Sequence, residues 1–519
     1  MLIECWMKRH RRVRRTLSVA TNNGSASLTR RVPISTCLML LGGIPTHSRQ
    51  DVPAIRTEAT QVRSYDGREA PAELVRLTVA ERHDHPGATL TVAALLLSTP
   101  AESPATPVFF LMGGPGIPGT EMARVPPYFT LFQRLRESRD VLVLDQRGIG
   151  RSEPNLDCPL SGSLPQNAFL SPAALVSFLG QELTRCAAQW RAKGVEPTAY
   201  NTLESAEDID ALRLALGFEK IDLLAFSYGT RLALAYVQRH PANVGRIVLQ
   251  GVNGPGLVVK RPGPIARKLQ RIGGRLGGVP GWEAKVDLLL AAASARKRLE
   301  STPAKVTVTD RRTGQALELP IGREGFDAIA ALHLDDARLP ALLVSVAAGD
   351  DRVLTRFVEA DWNGLGGGSV GLMARAVNCA ADRPDARWEL ADRESAQAPF
   401  GPSFDNAFLT DEFCRCVGYD SPRVEFSRPV HCALPALLLT GELDATNPIE
   451  NAREVALEFE NAVVLEVENA AHELLPLSEV QDVVVAFLAG DDVRGRSIVA
   501  PAPRFPTVEQ SLQDVPRGR

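Results

Sequence analysis

Long apolar runs are missing from this 519-residue chain. The run Cys37-Leu38-Met39-Leu40-Leu41 is far too short to cross a bilayer, and no other stretch reads as a transmembrane helix, so no integral membrane segment is expected. Metal-type ligand spacing is missing too. The eight cysteines (Cys5, Cys37, Cys158, Cys186, Cys379, Cys414, Cys416 and Cys432) contain no Cys-x-x-Cys pair, and Cys414-x-Cys416 is a poor metal signal by itself. The body of the chain has no long basic tract and the formal net charge is −3, which argues against nucleic acid as a partner. Asn363-Gly364-Leu365-Gly366-Gly367-Gly368 has no strand before it. It does not fit a phosphate-cradling loop and reads as a hinge or surface loop.

What is present is globular: 45% hydrophobic and 23% charged residues, with ample length for a large core. Residues 1–50 stand apart. A basic block (Lys8, Arg9, Arg11, Arg12, Arg14, Arg15) is followed by Arg30 and Arg31, the short apolar run and small residues up to Ser48. This reads as an export leader or as a disordered lead-in. Six cysteines in the body suit disulfides in an exported protein, or buried thiols in a cytoplasmic one. Periplasmic or extracellular location is the expectation, with the cytoplasm as the alternative.

Residues 51–70 are polar and read as a loose lead-in. Leu74–Ala80 and Leu90–Leu97 alternate as an antiparallel hairpin at a sheet edge, with His83 and His85 as solvated residues of its turn. Val108-Phe109-Phe110-Leu111-Met112 is a buried strand running into Gly113-Gly114-Pro115-Gly116. Val141–Leu144 is another, ending at Asp145-Gln146-Arg147-Gly148, where Asp145 and Arg147 are expected to brace the loop. An amphipathic helix, Ala206–Leu216, leads into the strand Ile221–Phe226. A further helix precedes the strand Arg246–Gly251. Strands alternating with helices make a parallel sheet.

From 255 to 428 the alternation breaks, and this region reads as an inserted, mainly helical cap. The sheet resumes with Leu434–Gly441 and Ala462–Val467, and a helix closes it from about Ser478 to Leu488. The expected organisation is thus a core in two parts, 51–254 and 429–490, interrupted by the cap and followed by a flexible tail, 491–519.

Ile221–Phe226 stops at Ser227 and turns at once into a helix. That is the geometry of a nucleophile elbow, Gly-x-Ser-x-Gly with Ala225 in the first position, where only a small side chain is needed. The same fold brings an acid and then a histidine later in the chain. The chain has only eight histidines, and His472 is the only one after the strand that leads to Asp444. Ser227, Asp444 and His472 each follow a strand, on loops that face the same way. Ser227 is the expected nucleophile, His472 the base, and Asp444 its orienting acid, with Glu442 the fallback. The backbone N–H groups of Tyr228 and Gly114 (Gly113 the alternative) would hold an oxyanion. No metal or organic cofactor is called for.

Met112-Gly113-Gly114-Pro115-Gly116, Asp145–Ser152, Phe226-Ser227-Tyr228-Gly229-Thr230 and Leu437–Pro448 together resemble the prolyl aminopeptidase and tripeptidyl aminopeptidase (TAP-like) family of α/β-hydrolases, over about Thr78 to Leu488. The resemblance implies a mostly parallel sheet with helices on both faces and an inserted helical cap. It also implies exopeptidase action at the free N-terminus of peptides, often by exported bacterial enzymes. It further implies pairing of Cys158 with Cys186, and of Cys379 with Cys414 or Cys416. Asn447-Pro448 and Asn469-Ala470-Ala471-His472-Glu473 depart from the family pattern, as does Ala225. An aminopeptidase needs carboxylates for the substrate ammonium, and the candidates in the cap are Glu359, Asp361 and Asp382. An esterase or amidase on a small acyl substrate would use the same triad. A non-catalytic binding protein on the same fold is the third reading.

Overall fold

The computed structural model describes residues 55–282, 286–419 and 431–513. The leader expected over residues 1–50 lies outside them. The centre of the molecule is set by three short strands, β4 (Val108–Leu111), β5 (Val141–Asp145) and β6 (Ile221–Phe226), which are almost wholly apolar and buried at every position. A strand of that kind is stable only with both sheet faces covered. They lie in a ten-stranded sheet ordered β1-β2-β3-β5-β4-β6-β7-β10-β11-β12. Here β1 is Ile55–Arg63, β2 Glu69–Arg82, β3 His85–Leu97, β7 Val244–Gln250, β10 Cys432–Gly441, β11 Phe459–Glu468 and β12 Ile498–Val499. From β1 to β5 the neighbours pair antiparallel. From β5 onward every pair is parallel. This is an α/β-hydrolase fold. Its parallel strands carry their loops out at one edge, where ligands of such sheets bind.

The hairpin β2–β3 is present, but it is not the sheet edge. Residues 55–63, expected to be a loose lead-in, form the outer strand β1. Its side chains are mostly exposed, so no buried alternation marks it in the sequence. The tail also differs from expectation. Ile498 and Val499 pair with β11, and residues Val508–Gln513 form a helix. That helix packs on the helices Leu339–Ala347 and Arg352–Gly366. The residues expected to be a flexible tail instead carry the chain from one docking point to the next.

Between β7 and β10 the described chain is mainly helical. It adds a separate two-stranded hairpin, β8 (Ala304–Thr309) with β9 (Ala316–Ile321). Residues of this insertion sit against the core loops: a Cβ at Gly116 would lie 3.2 Å from Ala374, and one at Gly148 3.2 Å from Met373. Cys158 is bonded to Cys186 and Cys379 to Cys414, with Cα separations of 5.9 and 5.3 Å. Cys416 and Cys432 are free. Among the described residues no helix is long and apolar enough to cross a membrane.

Two charged residues after β5 fix the loop beside the site. Asp145 accepts from Thr120 N (2.8 Å), Thr120 Oγ1 (2.7 Å) and Arg151 N (2.8 Å). Arg147, wholly buried, does not pair with Asp145. Its guanidinium forks onto Asp208 at 2.7 and 2.6 Å and also donates to the carbonyls of Glu81 and Ala199.

Candidate active site

Ser227 directly follows β6 and stands at the N-cap of the helix Tyr228–Arg239, with φ 55° and ψ −121°. A turn this tight needs a bare backbone behind it: a Cβ at Gly229 would fall 2.0 Å from the Leu111 carbonyl oxygen. Ala225 fills the first elbow position and is fully buried. The hydroxyl faces His472, whose Nε2 lies 3.0 Å from Ser227 Oγ. On the other side of the ring, Nδ1 lies 2.7 Å from Asp444 Oδ2. The three residues placed at strand ends by the sequence thus meet in one hydrogen-bonded chain. It can pass a proton from hydroxyl to imidazole while the carboxylate holds the ring.

Each member is held by the sheet. Asp444 Oδ1 accepts from the backbone N–H groups of Thr446 (2.9 Å) and Asn447 (2.8 Å), which leaves Oδ2 for the imidazole. Gln250, at the end of β7, donates from Nε2 to the His472 carbonyl (2.5 Å). Burial alone would pull the His472 imidazole down. The charge and hydrogen bond of Asp444, with the charge of Asp335, outweigh burial and the opposing Lys260 charge, so its pKa lies above the ordinary value.

Of the expected oxyanion donors, Tyr228 follows the serine directly, and the alternative Gly113 packs against it. Tyr228 opens the helix, and no side chain caps that end, so its N–H is at the positive end of the helix dipole. Gly113 backs directly onto the elbow: a Cβ there would stand 2.7 Å from Ser227 Cβ and 3.1 Å from Tyr228 N. Gly114 follows with φ 115°.

The fallback acid Glu442 faces elsewhere, pairing with Arg275 (2.6 Å) and accepting from Asn469 N (3.0 Å). The expectation for the ammonium-binding acids is corrected in part. Glu359 accepts from Thr309 N in the β8–β9 hairpin (3.2 Å). Asp361 is 3% exposed and meets His333 Nε2 at 2.9 Å. Both lie on one helix of the insertion, where Asp361 falls on the buried face. Asp382 lines a small concavity with Gly256 and Arg231, where burial raises its pKa.

Two other carboxylates border the imidazole. Asp335 pairs with Lys268, which is buried, yet 27% of the Asp335 side chain remains open. Burial would raise its pKa, but the Lys268 charge and then that of His472 hold it below the ordinary carboxylate range. Glu473, also exposed, accepts from Tyr128 Oη (3.0 Å). Burial, aided by the charge of Asp335, raises its pKa, against the hydrogen bond from Tyr128 and the charge of His472. Sequence reasoning missed both. Asp335 stands in an interhelical loop with no strand or motif to flag it, and Glu473 was legible only as the residue after His472. Among the described residues no group of three or more His, Cys, Asp or Glu side chains is arranged to hold a metal ion.

Residues 106–285 match the family model described as alpha/beta hydrolase fold, and residues 399–494 match the one described as TAP-like protein. The tripeptidyl aminopeptidase of Streptomyces lividans is 24% identical over 379 residues, 67% of each chain. The serine protease Hip1 of Mycobacterium tuberculosis (strain ATCC 25618 / H37Rv) is 29% identical over 189 residues, 35% of this chain and 36% of that one. The protein YuaR of Escherichia coli (strain K12) is 32% identical over 148 residues, 28% of each chain. For Hip1 and YuaR the match spans well under half of the relative's length. With the elbow, the sheet order and both family segments in place, the chain has the α/β-hydrolase fold and is similar over residues 399–494 to TAP-like proteins.

Proposed function

We propose that the protein is a serine exopeptidase that cleaves peptide bonds near the free N-terminus of peptides. The observation that carries this reading is the Ser227–His472–Asp444 chain with the open carboxylates of Asp335 and Glu473 beside it. Ser227 Oγ attacks the acyl carbon as His472 Nε2 takes its proton. The N–H groups of Tyr228 and Gly114 hold the oxyanion, and His472 then returns the proton to the leaving amine. Water, deprotonated by the same imidazole, releases the acyl group. Asp335 and Glu473 take the place first given to Glu359 and Asp361: two carboxylates beside the catalytic imidazole, close enough for each to feel the other's charge, would serve as a receptor for the substrate ammonium. Ammonium binding would draw Glu473 into its ionised form. The names of the relatives, a tripeptidyl aminopeptidase and a serine protease, agree with peptide chemistry. The two disulfides support export to an oxidising compartment.

The test is a panel of peptidyl amides with free or acetylated N-termini, with simple acyl esters alongside. Free-amine substrates should be strongly preferred. Glu473→Gln should raise their KM by about 10-fold to 100-fold, the equivalent of one charged hydrogen bond, and leave blocked substrates unchanged. Equal rates on free and blocked amines would turn the reading to an esterase or amidase of small acyl substrates with the same triad.

A further inference from the structure

Lys260 lies near the start of the insertion, and its side chain reaches back to the loop after β10. Its Nζ donates to the Thr446 carbonyl (3.1 Å) and to Asn447 Oδ1 (2.7 Å). Those are the two residues whose backbone N–H groups hold Asp444 Oδ1. Asn447 is anchored in turn by its Nδ2 on the Gly251 carbonyl (3.0 Å). The backbone of Lys260 is clamped from both sides by one side chain. Its N–H donates to Asn406 Oδ1 (2.8 Å), and Asn406 Nδ2 donates to its carbonyl (2.9 Å). An ammonium carried by the insertion is therefore fixed one residue away from the carboxylate that orients the imidazole.

We propose that Lys260 is a positioning residue for the hydrolytic reaction: it locks the loop that presents Asp444, and its charge offsets part of the pull of Asp444 and Asp335 toward the imidazolium. The proposal rests on the Ser227–His472–Asp444 reading. The need for such a charge is visible around the ring. Asp444 and Asp335 both favour the imidazolium, which cannot accept the serine proton, and Lys260 acts against them. The groups facing Lys260 are Asp405 and Asp444, which favour its charge, and Arg231 and Arg387, which oppose it. Burial is the largest influence and brings its pKa to about 8, so it is charged at neutral pH. A lysine here differs from an uncharged donor of similar reach. Both can hold Asn447, but only the charge acts on the imidazole.

The experiment is the rate of Ser227 labelling by a fluorophosphonate as a function of pH, which needs no knowledge of the natural substrate. Wild type is compared with Lys260→Gln, Lys260→Met and Lys260→Arg, each checked for folding by near-UV circular dichroism. Loss of the charge should move the acid limb upward, so that labelling on that limb falls by about threefold or more in Lys260→Gln, a shift of about half a pH unit. Lys260→Met should show the same shift with a further loss at every pH from the loosened loop. Lys260→Arg should keep the wild-type limb. A purely structural role would lower labelling at all pH values without moving the limb. An unmoved limb in folded Lys260→Gln overturns the proposal alone. No labelling of the wild type at any pH overturns the triad reading and the proposal with it.

Discussion

Ser227 is held at φ 55° and ψ −121°, a conformation that a residue with a side chain adopts at a cost of about 1–3 kcal/mol. The cost is met by the packing of β6 and its helix, and it lifts the hydroxyl to the imidazole. Ser227→Gly should therefore be inactive yet more stable than wild type, by about 1 kcal/mol in urea unfolding. His472 gives a second expectation. Its folded-state pKa lies above the ordinary 6.5, so kcat/KM should rise with pH along a limb centred above that value. The sign for stability follows. The contribution of the protonated ring is complete below the unfolded-state pKa and is lost as pH rises through the folded-state one. Asp444→Asn should keep the fold and lower kcat by about 10⁴-fold, because the imidazole is then held in the wrong tautomer. These three residues were legible in the sequence because each follows a strand and the fold fixes their order. Asp335, Glu473 and Lys260 were not. Their roles come from tertiary contacts between loops and the insertion, which no local pattern records.

At the scale of elements, the pair Arg147–Asp208 joins the loop after β5 to the helix Thr202–Ala215. Both side chains are buried, 0% and 2% exposed. Asp208→Ala would leave a buried guanidinium with only Glu204, at 3.8 Å, as counter-charge and should cost about 3 kcal/mol in a denaturation midpoint experiment. The buried strands were readable from their apolar runs, and the break in alternation marked the insertion. The outer strand β1 was not readable, since polar side chains on an exposed face show no period. The second disulfide shows how a short helix decides between near neighbours. On Asp411–Arg415, Cys414 turns inward and is 1% exposed, whereas Cys416 remains free just beyond it. The resemblance alone had left both open.

Across the whole molecule, the insertion is tied to the core by the residues that follow the sheet. β12 extends the sheet beyond β11. Trp282 Nε1 then donates to the Phe505 carbonyl (2.9 Å), Arg352 pairs with Glu509 (2.8 Å), and the last helix docks on two helices of the insertion. Deleting the chain after Asp492 should raise amide hydrogen exchange in residues 339–366 and lower the thermal midpoint, while the Ser227 labelling rate changes little. An insertion tied down by the residues that follow the sheet has little room to swing. With the insertion read as a cap beside the serine, admission would be governed by the width of a standing doorway. Peptides that can thread a free end through it should be turned over, and folded proteins turned away, with no slow gate-opening phase in pre-steady-state traces.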